Sequence, residues 1–487
     1  MISNWKLNCK WTDDGYFFLQ TEDTGNVPVR LFLTPELLMD AEDTLYTQVV
    51  NATKFPGVKM VVITPDTHYG YGVPVGCVLV TEDDGAIAMG PVGYDIGCGM
   101  MSARSNVPAD AATAEKRLAF NREVMKRVSM GAGGKSHKLG KVSEREFQNL
   151  IRGGAEYYVD KYGATFDRSH AERHRIPVDD SWQIPLGGRG RPERGMDQLG
   201  SLGGGNHFIE LQRAQETGTL FVQVHTGSRG FGHGLATNYF DLAKDEKPDQ
   251  IQNLDLGYFT PDSVHYKDYL NAVAAGGNFA ILNRLVIFEQ VAEAFKVVFK
   301  QDLELVYEIS HNLVQREWNP DYGMVWVHRK GATRAFPGGH PALAGTQWEK
   351  TGHPVLIPGS NKDWSYILRP LEGAVKSAYS VNHGAGRRLS RSAAIKSLSQ
   401  QAVNDEYRDA GIIVNDNADV PIDESSTVYK KSSKVIKAVT DAGLARVEYS
   451  LWPLSSLKGT DDGGHKHKKN KKCCSAAKTE TKSEGHY

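Results

Sequence analysis

The chain is sparing with several features whose abundance would settle its class. Five cysteines occur among 487 residues, at positions 9, 77, 98, 473 and 474. An odd number so widely spread excludes the dense disulfide framework of a small secreted domain and suits a reducing compartment. An excess of charge of either sign is missing too: 57 Lys and Arg stand against 58 Asp and Glu, a formal net charge of -1. Any surface for nucleic acid must therefore be a local patch on a neutral background. No apolar run reaches the roughly 18 residues of a membrane span, and Met1-Ile2-Ser3-Asn4-Trp5 lacks the basic and apolar regions of a secretory signal. A soluble, cytoplasmic protein without a membrane partner is the expectation.

What is present is enough apolar residue, 40% of the chain, for a sizeable core, together with 50 glycines gathered at a few points. Glycine clusters permit tight turns and close backbone approach to a ligand. Between them Val58 to Ile63, Leu220 to Val224 and Met324 to Val327 read as strands, each ending at a turn or a histidine. Apolar residues recurring at three and four predict helices over 112–129, 280–300, 391–409 and 428–442. With no internal repeat and no long linker before Lys458, the pattern is a mixed α/β fold: one large catalytic domain over 1–458 around a central β-sheet system. From 459 to 487 the chain turns polar, with His465-Lys466-His467-Lys468-Lys469 and then Cys473-Cys474, and reads as a disordered tail. A solvated tail, an RNA-touching arm and a metal-scavenging tract all fit that composition.

Five constellations can carry chemistry. Pro65-Asp66-Thr67-His68-Tyr69-Gly70 follows a strand and leads on to Gly93-Tyr94-Asp95-Ile96-Gly97-Cys98-Gly99. A carboxylate and a thiol three residues apart can share a cation, and a thiolate has lone pairs enough to bridge two; a buried free cysteine beside a capping aspartate fits the same residues. Gly203-Gly204-Gly205-Asn206-His207-Phe208-Ile209-Glu210 offers amide groups for phosphate, and Val224-His225-Thr226-Gly227-Ser228-Arg229 puts an imidazole at a strand end. Either histidine also reads as a satisfied core residue. His311-Asn312 and His328-Arg329-Lys330 supply two further imidazoles, of which one is needed as a ligand. Last come Pro358-Gly359-Ser360-Asn361, Ser365, and Asn382-His383-Gly384-Ala385-Gly386-Arg387. There His383, flanked by small residues with basic side chains behind it, is a candidate nucleophile toward phosphorus. Asp95, Cys98, His207, His225 and His311 together make a mixed O/S/N set for two divalent ions; such ligands admit zinc, manganese, iron or cobalt.

In order and across nearly the whole chain to Lys458, these motifs resemble the RtcB family of RNA-splicing ligases. The resemblance implies an α/β domain of the family's own type with a deep active-site cleft. It implies two Mn²⁺ ions, one on Asp95, Cys98 and His207 and one on Cys98, His225 and His311, so that His311 rather than His328 is the ligand. GTP would contact Asn206, His207, Phe208, Ile209, Glu210, His311, Asn312, Pro358, Gly359, Ser360, Asn361, Ser365, His383, Gly384, Ala385, Gly386 and Lys458. His383 would be guanylylated, with Asp66 orienting it, and RNA bearing a 3′-phosphate or 2′,3′-cyclic phosphate would be joined to a 5′-hydroxyl end, as in tRNA splicing or RNA repair. An archease-type activator is an implied partner. The same residues also suit a metal-dependent phosphoesterase acting on RNA ends, or an RNA-binding subunit without catalysis. Two positions depart from the pattern: Gly97 stands where many relatives carry Asn, and Asn361 where Met often follows Pro-Gly-Ser.

Overall fold

The computed structural model describes residues 4–163, 170 and 175–459; apart from Gly459, the expected tail lies outside the described residues. Two large sheets form the frame. In the first, seven strands run in the order Lys10–Trp11, Phe17–Leu19, Val29–Leu31, Val58–His68, Val75–Glu82, Gly323–Lys330, Asn312–Asn319. The β-branched runs explain its burial. Along Val58–His68, Met60 and Val62 enter one apolar cluster while Val61 and Ile63 enter another, and Val78 and Val80 alternate in the same way with Cys77 and Leu79. Successive side chains of a strand point to opposite faces, so both faces of this sheet are covered. Helices Pro35–Asp40 and Leu45–Ala52 cover one, and Val355, Ile357 and Leu368 of the second sheet meet the other.

The second sheet runs Glu304–Ser310, Gly99–Pro108, Thr219–Thr226, Phe208–Ala214, Ala445–Leu457, Ser365–Pro370, Val355–Ile357, with Ile413–Val414 added alongside Ala445–Leu457. Leu220, Val222 and Val224 face a layer of helices, and Phe221 faces the opposite way. By the same alternation Gln223 and His225 share the face of Phe221. Polar groups therefore line the inner face of this sheet at the end where its strands stop.

Helices Ala114–Arg127, Glu144–Tyr162 and Arg229–Glu246 gather round Tyr266–Phe299, a helix of 34 residues. That helix is long and apolar enough to cross a membrane, yet it lies almost wholly inside the fold as the central core helix. It begins well before the expected 280, passing through Gly276 and Gly277. The glycine pair is a contact surface: a Cβ on Gly276 would stand 3.0 Å from Ile96. The helix expected over 391–409 is two, Arg391–Ser397 and Gln400–Asp409, because Leu398 is extended and Ser399 caps the second through the Ala402 amide. The one expected over 428–442 starts only at Ser432. Helices Glu144–Tyr162 and Arg229–Glu246 carry glycines and many charges, and their apolar stripes escape notice in the sequence.

Gly97 lies where the turn before Gly99–Pro108 presses on the core helix. Its φ is +77°, and a Cβ there would stand 2.8 Å from the Ala280 Cβ and 2.9 Å from the Gly277 Cα. Left-handed strain and overpacking add at this site, so Gly97→Ala should cost about 2–4 kcal/mol. Gly218, with φ +67° and nothing within 4 Å, should lose only the strain, about 1–2 kcal/mol. Denaturant unfolding of the two variants checks the difference; equal losses would remove the claim that the helix approach dictates glycine at 97.

Candidate active site

Strand register brings the distant ligand candidates to one place. Met100 pairs with His225, Phe208 pairs with His225 from the other side, and Ser310 pairs with Gly99. Asp95 and Cys98 therefore stand at the start of one strand, His207 at the start of its second neighbour, His225 near the end of the strand between them, and His311 just past the strand on the far side. Cys98 Sγ lies 3.5 Å from His207 Nε2 and 3.3 Å from His225 Nε2; His225 Nε2 lies 3.3 Å from His311 Nε2, and His207 Nε2 lies 3.1 Å from Asp95 Oδ2. Two triads result, Asp95–Cys98–His207 and Cys98–His225–His311, each with its donor atoms within 4.8 Å of one another.

The partners of the other ring nitrogens fix the chemistry. His207 Nδ1 is 3.0 Å from the Leu202 carbonyl and His225 Nδ1 is 3.1 Å from that of Asn206. An Nδ1–H donated to a carbonyl leaves the Nε2 lone pair free, the tautomer a metal-binding histidine needs. Burial, with neighbouring histidine charge, holds His225 and His311 well below the ordinary imidazole range. The Cys98 thiol is pushed well above its usual range by burial and by the Asp95 charge. Asp95 is different: burial opposes its ionisation, but the His207 hydrogen bond and charge and the Ser228 amide at 2.9 Å overcome it, and its carboxyl lies below the usual range. Neutral imidazoles with their Nε2 atoms 3.3 Å apart, beside a carboxylate and a thiol, make a donor set that fits divalent cations, which would displace the thiol proton and take up imidazole lone pairs.

His328 is not part of this set. It is fully buried, accepts the Ala88 amide through Nε2 at 3.0 Å, and is held at about 4 by burial. It is a satisfied core histidine.

Beside the triads sits His383, its ring edge-to-face with that of His311 at 4.9 Å between centroids. Asp66 Oδ2 stands 2.6 Å from His383 Nδ1 and accepts the backbone amides of His383 and Gly384 at 3.0 and 3.1 Å, while Oδ1 accepts the Thr64 hydroxyl at 2.6 Å. The carboxylate approaches off the axis of an Nδ1–H, so its hold on the ring is chiefly electrostatic. Burial raises the Asp66 carboxyl, but the His383 charge and these donors outweigh it and keep it below the usual range. Gly386 allows the approach: with φ +80°, a Cβ there would stand 2.0 Å from the Asp66 carbonyl oxygen.

A cavity of about 380 Å³ opens over both groups. Of the residues expected to touch a nucleotide, all line it except His207, Ile209, Glu210 and Ser365. Strand pleating turns Ile209 into the helical core. Glu210 is buried behind the wall, pushed up to about 7 by burial, with Gln212 donating to it at 2.9 Å. Ser365 accepts the Gly359 amide at 2.9 Å and so holds the loop Pro358–Asn361 from beneath. Asn312 braces as well as lines, donating to the Asp95 carbonyl at 3.2 Å and accepting the Gly331 amide at 2.8 Å. Ser360 Oγ and Asn361 Nδ2 are buried in the cavity wall without a hydrogen-bond partner among the described residues. The Tyr407 hydroxyl accepts the Ser426 amide at 3.0 Å and donates to Asn361 Oδ1. Orphaned polar atoms in a closed wall fit a polar ligand of nucleotide size.

Sequence reading missed the groups that hold this site from behind. Arg284, fully buried on the core helix, pairs with Glu308 and donates to the Gly97 carbonyl at 2.7 Å, the Thr226 carbonyl at 2.9 Å and the Ser310 hydroxyl at 2.8 Å. A lone arginine among apolar residues was the available signal. Glu424 was missed too, though it gathers Arg387 at 3.1 Å and Lys458 at 3.5 Å on the cavity floor.

A family model described as tRNA-splicing ligase RtcB matches residues 48–459. The tRNA-splicing ligase RtcB of Pyrobaculum aerophilum is 35% identical over 470 residues, covering 89% of this chain and 95% of that protein. The RNA-splicing ligase RtcB of Mycobacterium bovis is 33% identical over 85% of this chain and 100% of its own length, and RNA-splicing ligase RtcB homolog 1 of Entamoeba dispar is 32% identical over 88% and 84%.

Arg284→Met should lower stability by about 3–5 kcal/mol, because Glu308 is left buried without its cation, and should reduce bound divalent metal. Adding Glu308→Gln should restore much of the stability and little of the metal. Calorimetry with metal analysis on both variants tests this; full metal content in the single variant would mean that Arg284 does not set the ligand geometry.

Proposed function

This chain belongs to the RtcB family, and from that membership together with the geometry of the cleft we propose that it is a GTP-using, metal-dependent RNA ligase acting on 3′-phosphate or 2′,3′-cyclic phosphate and 5′-hydroxyl ends. The observation that carries the reading is His383, gripped by Asp66 and set against two triads that share Cys98. An imidazole beside clustered cation ligands suits covalent nucleotidyl transfer better than simple hydrolysis, which needs only an activated water.

His383 Nε2 attacks the α-phosphorus of GTP; the N–P bond forms as the bond to pyrophosphate breaks. Asp66 stabilises the charge that develops on the ring and, through the His383 and Gly384 amides, fixes where the ring stands. Ser360, Asn361 and Lys458 line the nucleotide side, and Arg387 offers charge to phosphate oxygens. An RNA 3′-phosphate oxygen, free from the start or released when water opens a cyclic phosphate, then takes the guanylyl group from His383, breaking the N–P bond. The 5′-hydroxyl oxygen attacks the activated 3′-phosphorus and GMP departs. A phosphate monoester has a poor leaving group, and guanylylation supplies a good one. Two divalent ions, which we assign as Mn²⁺, would be held by Asp95, Cys98 and His207 and by Cys98, His225 and His311, where they neutralise phosphate oxygens as Lewis acids. A cytoplasmic site and an archease-type activator complete the proposal.

Incubation with α-labelled GTP and Mn²⁺ should label the chain through an acid-labile bond, and His383→Ala should abolish the label; undiminished labelling of that variant would reject the nucleophile. Cys98→Ala should lose labelling and ligation together, with bound metal falling below two ions per chain, whereas a merely buried thiol would tolerate the change. Opened cyclic phosphate without joined RNA would favour a phosphoesterase.

A further inference from the structure

The loop between strands Val58–His68 and Val75–Glu82 carries two aromatic side chains that the chemistry above leaves unused. Tyr69 is 54% exposed and Tyr71 is 70% exposed. Mobility does not account for them, because the loop is pinned. Gln48 exchanges two hydrogen bonds with Gly70, at 2.6 and 2.9 Å; Asn51 donates to the Gly72 carbonyl at 2.8 Å; and Lys330 Nζ donates to the Tyr71 carbonyl at 2.7 Å. Tyr71 lines the same cavity as His383, and behind it Tyr94 stands edge-on at 6.3 Å, itself stacked on Phe240 at 4.7 Å and tied to Asp255 by its hydroxyl at 2.9 Å. Tyr69 lines the adjoining groove with the exposed Arg388, and His68 borders both spaces.

We propose that Tyr71 is a stacking platform for a terminal nucleobase of the RNA at the cleft mouth, with Tyr69 taking the next base outward and Arg388 its phosphate. The inference rests on the ligase reading for its ligand and adds a subsite to it. A fixed aromatic face beside the reacting centre, followed by a second aromatic and a guanidinium, suits a single strand, since every base has a π-face and every link a phosphate. Asp40 and Glu42 also line the groove, together with Arg387 and Lys430, so the carboxylates would repel a phosphate that strays from the basic side chains. Neither tyrosine offers a code, so the platform accepts any base.

The test titrates labelled single-stranded RNA, ending in a 3′-phosphate or a 5′-hydroxyl, into the full-length wild type, Tyr71→Ala and Tyr71→Phe, with guanylyl labelling measured in parallel. Tyr71→Ala should weaken RNA binding about 10-fold, the scale of one lost stacked base, and Tyr71→Phe, which keeps the ring, should bind like the wild type. RNA lacking its terminal base should bind the wild type and Tyr71→Ala alike, and running this at each end shows which terminus the platform holds. Equal binding of intact RNA by Tyr71→Ala, or a penalty that persists with both abasic RNAs, would overturn the platform. Absence of guanylyl labelling in the wild type would instead count against the ligase reading, and the binding titration would still decide the platform.

Discussion

The Arg284 guanidinium reaches from the core helix into the seam where three strands end, and there it holds the Gly97 carbonyl, the Thr226 carbonyl and the Ser310 hydroxyl while paired with Glu308. Each acceptor is one residue from a ligand candidate: Cys98, His225 and His311. A planar fork of fixed donors positions three chain segments at once, which a flexible ammonium would not do. The location is demanding. Both charges are fully buried, and an ion pair in that setting adds little net stability over apolar side chains while penalising the loss of one partner heavily. Retaining it makes physical sense as a device for geometry, because a metal site loosened by an ångström loses much of its function.

The ligands show what that geometry is for. His225 and His311 are kept neutral by burial, and their Nε2 atoms, 3.3 Å apart, can share a proton or, together with Cys98, a cation. Asp66 and Asp95 are both buried carboxylates held below the usual range, yet their surroundings assign them different work. Asp66 spends its oxygens on Thr64 and on the amides and ring of His383, so it is saturated and serves to position. Asp95 uses one oxygen on Ser228 and turns the other toward His207 beside Cys98, which leaves it within a ligand cluster. Two chemically identical groups part ways through what donates to them.

Much of this was legible in the sequence, and the limits have physical causes. Histidines that follow strand-like runs announced the site, because strands end where ligands sit in such folds. The strands began close to where alternation placed them: Val58 opens its strand, and Leu220 is the second residue of Thr219–Thr226. What linear order cannot carry is register. The pairing of Met100 and Phe208 with His225 separates His225 from the satisfied His328, although both histidines follow apolar strands. Arg284 escaped because a charge set within an apolar helical run shows no role until its partner, 24 residues on, is brought beside it. Gly276 and Gly277 form the surface on which the turn carrying Asp95 and Cys98 rests, a contact that linear order does not show.

The cavity has two unlike walls, and the contrast bears on what each side admits. On one, Ser360 and Asn361 are buried with polar atoms that meet no partner among the described residues, a state that costs about 1–3 kcal/mol per group unless water or a polar ligand completes the bonds. Such a wall selects a compact, polar molecule. A methionine in place of Asn361 would offer this part of the cavity no side-chain donor. Elsewhere in its lining the Tyr71 ring stands in solvent on a pinned loop. The cavity that His383 lines therefore borders both buried polar groups and, at Tyr71, an exposed ring.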